Sequence, residues 1–91
     1  MARDIEELEV ALRGAYPEIS IGLQASPDAN GNEGVWLVRH PKALIDVQIE
    51  SATGDVPFTV ESELAPPTVA RSVDRAVRLV IERLGLGIGD A

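Results

Sequence analysis

Residues 34–50 read Gly-Val-Trp-Leu-Val-Arg-His-Pro-Lys-Ala-Leu-Ile-Asp-Val-Gln-Ile-Glu, residues 51–55 read Ser-Ala-Thr-Gly-Asp, and residues 56–63 read Val-Pro-Phe-Thr-Val-Glu-Ser-Glu. The stretch predicts three consecutive strands of an antiparallel sheet. Its middle segment has the cleanest alternation in the chain. Ile45, Val47 and Ile49 point one way; Leu44, Asp46, Gln48 and Glu50 point the other. Successive side chains leave opposite faces of a pleat, so this alternation marks a strand buried on one side only. Residues 56–64 continue the pattern, with Phe58, Val60 and Ser62 alternating against Thr59, Glu61 and Glu63. Gly54 supplies the turn between these two strands. Residues 34–40 are less decisive, because Val35, Trp36, Leu37 and Val38 are apolar in succession. Such a run fits burial on both faces or an interface on one.

Upstream, residues 18–25 alternate with Ile19, Ile21, Leu23 and Ala25 on one side, which predicts a further strand. Residues 26–34 are dense in turn formers, and Asn30-Gly31 suits a hairpin tip. A helix is expected at about residues 5–14. Asp4 stands as its N-cap with Glu7 at capping-box spacing, and Ile5, Leu8, Ala11, Leu12 and Ala15 form its apolar stripe. Pro17 forbids its continuation. Glu6, Glu7 and Glu9 read as a solvated face.

Downstream, Pro66-Pro67 reads as a stiff break that ends the sheet. A second helix follows, with Ser72 as N-cap and Thr68 as the competing start. Val73, Ala76, Val77, Val80, Ile81 and Leu84 recur at helical spacing, and Gly85 is the expected stop. The glycine-rich tail, residues 86–91, is expected to fray. The fold class is therefore α+β in the order α-β-β-β-β-α. A four-stranded antiparallel meander with the N-terminal and C-terminal helices packed on one face is its simplest arrangement.

A chain of 91 residues makes a single domain, residues 1–91, with room for one modest core. With 45% hydrophobic and 25% charged residues it has the composition of a folded globule rather than a disordered tail. There are no cysteines, which excludes disulfides and thiolate metal sites. The first residues lack the apolar run of a signal peptide, and no run approaches the ~20 residues that span a bilayer. A cytoplasmic location is the default expectation. The formal net charge is −7, which argues against nucleic acid and against an anionic membrane as partners. The charge is uneven: residues 1–66 hold 12 acidic and 4 basic groups, whereas residues 67–91 hold 3 and 4.

The chemistry of the chain is sparse. With one histidine and no cysteine, Cys–His catalysis and the usual zinc sites are out. His40 reads as an exposed residue flanking a turn. No phosphate-binding loop, nucleophile elbow or dinucleotide pattern occurs, and no cofactor is implied. The notable grouping is acidic. If Ile45, Val47 and Ile49 face the helices, then Asp46, Gln48 and Glu50 face outward beside Glu61 and Glu63, about 5–8 Å apart across the ladder. Trp36 has two places to go, the core or this open face, where it would anchor a binding surface.

Three functions follow from these residues. The first is a non-enzymatic module that masks a basic protein with Trp36, Asp46, Gln48, Glu50, Glu61 and Glu63. An inhibitor, an immunity-type protein and a small chaperone are versions of it. The second is a homodimer joined through strand two or the sheet face, with a structural or regulatory role. The third is an enzyme that holds a divalent metal with Asp46, Glu50 and Glu61.

Overall fold

The computed structural model of the chain describes residues 3–26, 33–63 and 65–86. Two helices bracket the strands: α1 (Asp4–Ala15), β1 (Ser20–Ala25), β2 (Gly34–Arg39), β3 (Val47–Ser51), β4 (Phe58–Ser62), β5 (Ala65–Ala70) and α2 (Val73–Leu84). The sheet is an antiparallel meander in the order β1-β2-β3-β4-β5. The α+β class and the terminal helices are as expected from the sequence, but the sheet has five strands, not four. The extra strand contains Pro66 and Pro67. Proline cannot donate to a ladder, so it reads as a sheet breaker, yet at an edge one side of the strand needs no donors. Here β5 is that edge, joined to β4 through a register shift between Val60 and Ser62.

The register decides which face each side chain takes. Trp36 lies opposite Ile49, Ile49 opposite Val60, and Val60 opposite Thr68. Directly opposed residues share a face. Trp36, Ile49 and Val60 of this row, with Val38, Val47, Phe58 and Ala70, form the sheet's part of the core. Ile5, Leu8 and Leu12 of α1 and Ala76, Leu79, Val80 and Leu84 of α2 form the other half. Trp36 is only 6% exposed. Of the two places open to it in the sequence it takes the core, and it is thereby removed from the candidate outer binding face.

Strand β3 is shorter than its alternation suggests. It starts at Val47, and residues 43–46 run as a loop with Leu44 fully in solvent. The turn that leads into it is closed locally. Lys42 N donates to His40 Nδ1 at 3.0 Å and Ala43 N to His40 O at 3.0 Å, which holds the chain in a turn just before the segment.

The helix starts differ in their chemistry. In α2 the expectation holds: Ser72 Oγ accepts from Arg75 N at 3.1 Å, and Gly85 takes a left-handed conformation to end the helix. Thr68, the competing start, lies in β5. In α1 the N-cap is Arg3 and Asp4 is the first helical residue. Asp4 caps nothing in its own helix. Its N–H donates to Asp55 Oδ1 at 2.8 Å, its Oδ2 accepts from Val56 N at 3.0 Å, and Ile5 N donates to Gly54 O at 2.8 Å. The β3–β4 loop thus does the capping, a long-range solution that local spacing does not reveal. Leu86, assigned to a frayed tail, packs against the core and donates from its N–H to Ile81 O. The remaining tail and the Asn30-Gly31 tip lie outside the described residues.

Candidate functional site

The sheet face away from the helices is the candidate site. Strands β2, β3 and β4 each send alternate residues to it, for the register pairs Leu37 with Gln48, Gln48 with Glu61, Val35 with Glu50, and Glu50 with Thr59. Thr59 in turn opposes Val69 of the edge strand. Gln48, Glu50 and Glu61 therefore share one face, and Asp46 adjoins it from the loop before β3. Glu63 joins them from the turn after β4 rather than from the strand itself. Leu37, Asp46, Gln48, Glu61, Ser62 and Glu63 line a shallow depression of about 390 Å³.

Two features of this face were not legible beforehand. One is its apolar component: Val35 and Leu37 are half-buried and Val69 is 52% exposed. The other is Arg39, whose Nε lies 3.3 Å from Asp46 Oδ2. Both depend on the orientation of β2, which an unbroken apolar run cannot supply. The neighbouring register pair Val38–Val47 brings Arg39 to Asp46. Both partners are half-exposed, so the pair contributes little to stability, but it offsets one acidic charge.

The electrostatics of the remaining acids are uneven. Gln48 Nε2 donates to Glu61 Oε1 at 2.8 Å, which fixes that carboxylate across the ladder. Glu50 has its pKa raised above the ordinary value, first by partial burial, then by the charges of Glu61 and Glu33; the Gln48 amide works the other way. Among the described residues, no three His, Cys, Asp or Glu side chains are gathered as a metal ion requires. The trio Asp46, Glu50 and Glu61 is spread along the face, with Asp46 turned to Arg39.

His40 is half-buried rather than exposed. Its ring stands edge-on to Tyr16, with 5.9 Å between centroids, and its Nδ1 holds the turn. A second depression, about 590 Å³, lies at the C-terminal end of α2 and is lined in part by Lys42, Leu44, Glu82 and Arg83. There Arg83 donates to Pro66 O at 3.0 Å and to Thr68 Oγ1 at 2.6 Å, which ties α2 to β5. That is a structural duty.

Comparison with protein families, curated proteins and solved structures returned no match. No helix among the described residues is long and apolar enough to cross a membrane.

Proposed function

We propose that this chain is a small, non-enzymatic protein-binding module that masks a basic partner with the outer face of its sheet. The observation that supports this reading is the layout of that face. Leu37 and Val35 form an apolar strip on β2, Gln48, Glu50 and Glu61 lie beside it on β3 and β4 with Asp46 and Glu63 close by, and Val69 flanks them on β5. Protein interfaces combine apolar contact with charged groups. The carboxylates steer an oppositely charged partner, and the apolar strip beside them supplies the desolvated contact. The net charge of −7 adds long-range attraction for a basic protein. A cytoplasmic inhibitor or chaperone-like role fits a chain without cysteines.

The test is capture from the source lysate by three immobilised chains. One is natural. One has Asp46, Glu50, Glu61 and Glu63 changed to lysine. The third has the exposed Glu6, Glu7, Glu18 and Glu82 changed to lysine, which matches the net charge while leaving the face intact. The expected result is a partner held by the first and third chains, released by moderate salt, and lost by the second. A partner lost equally by both reversed chains would reduce the effect to net charge and sink the assignment of the face.

A further inference from the structure

Among the described residues the sheet is open, with β1 and β5 at its two edges, while β2 is paired on both sides. Joining two copies by backbone pairing along β2 is therefore ruled out, because its backbone groups are already used. The two edges are not alike. Strand β5 carries Pro66 and Pro67, which lack N–H groups and blunt the edge. Strand β1, Ser-Ile-Gly-Leu-Gln-Ala, has no proline and no charged residue in a chain of net charge −7. Folded proteins protect such an edge with charge, proline or a bulge, or by pairing it. The register slip between Leu23 and Ala25 is one such device, but it leaves the stretch before Gln24 regular.

The side chains on β1 are incomplete in a particular way. Leu23 is paired with Trp36 and shares its helix-side face, yet Leu23 is 54% exposed while Trp36 is 6% exposed. Trp36 has a strand on each side; Leu23 has one. What Leu23 lacks is a further strand that brings an apolar residue to the same face.

We propose that a second copy of this chain supplies that strand, with two β1 edges pairing antiparallel about a two-fold axis at Gly22. In this register Ile21 lies opposite Leu23 of the second copy, Leu23 opposite its Ile21, and Gly22 opposite Gly22. Opposed residues share a face, so the axis stands perpendicular to the sheet and both helix layers fall on one side. The apolar row of the core then continues across the junction. The pairing brings no carboxylate against another, since the six residues of β1 are neutral. It leaves the outer acidic face free on both copies, so the dimer and the partner-binding reading stand or fall separately. An edge of this length buries a small interface, which places the association in the micromolar range or weaker. The repulsion between two acidic copies makes it tighten as salt is added.

Sedimentation velocity of the natural chain between about 10 µM and 1 mM, at about 50 mM and 500 mM salt, tests the pairing. The expected result is a reversible monomer–dimer equilibrium that strengthens with salt. Amide exchange followed over the same concentrations places it: protection should rise at residues 20–24. Leu23→Lys should weaken the dimer by at least about tenfold, because it sets a charge in the apolar row. Val10→Lys makes the same change at a residue 73% exposed on α1 and should leave the dimer intact. A chain that stays monomeric at the highest concentration overturns the proposal, as would an extended peptide binding β1 without any dimer. So would a dimer whose protected amides lie elsewhere, or one that Leu23→Lys leaves unchanged.

Discussion

Two serines show how the same residue type takes opposite meanings from its surroundings. Ser51 is 2% exposed and fully engaged: its Oγ donates to Asp55 O at 2.6 Å and accepts from Gly54 N at 2.9 Å and Thr53 N at 3.3 Å. Ser51→Ala would strand the Gly54 amide inside the loop that caps α1, at a cost of about 1–3 kcal/mol. Ser62 Oγ is buried with no hydrogen-bond partner among the described groups. Ser62→Ala should therefore leave stability unchanged or raise it slightly, and urea unfolding of the two variants separates the cases. Glu50 calls for a pH argument. Its carboxyl binds the proton more tightly in the fold than in the unfolded chain. Stability from this group is therefore present in acid and falls as pH rises from the ordinary carboxylate value of 4.5 through the raised folded value. Glu50→Gln removes that loss. The variant should be more stable than the natural chain at neutral pH, with the gap closing below the ordinary carboxylate value. Parallel urea titrations at neutral and acid pH check this.

At the scale of elements, α2 and α1 contrast. Helix α2 carries its own signals: a serine cap, a broad apolar stripe and a glycine stop. Gly85 has φ of +79°, and a side chain there would meet nothing within 4 Å. Gly85→Ala thus isolates the backbone cost of the left-handed conformation, about 1 kcal/mol, measurable by thermal or urea unfolding. Helix α1 is narrower than its sequence suggests. Ala11 and Ala15 belong to its apolar stripe by spacing, yet both are exposed, and only Ile5, Leu8 and Leu12 are buried. Spacing identifies the apolar side of a helix, but the width that is covered depends on what lies beneath. Strand β5 is the converse case: its prolines signal a break, and only a place at the sheet edge makes them acceptable.

Over the whole molecule, a single core joins two helices to one face of the sheet, and the opposite face carries the carboxylates of β3 and β4. The acidic part of that face was legible in the sequence because residues 47–50 and 58–61 alternate strictly. A period of two leaves each of their side chains only one face to choose. The orientation of β2 was not legible, because four successive apolar residues satisfy both choices. Pairing with β3 settled it. That one decision put Trp36 inside and brought Val35, Leu37 and Arg39 onto the outer face. The capping of α1 by Asp55, the locally spent donors around His40 and the contrast between the two edges belong to the same class. Each joins residues whose relation depends on the folded chain path rather than on spacing within one element. The sequence by itself determined the order of most elements, the limits of α2 and the alternating faces of β3 and β4, since propensity, capping and periodicity act over a few residues. Tertiary structure alone decided the fifth strand, the side of Trp36 and the edge position of β1, since these depend on which segments become neighbours.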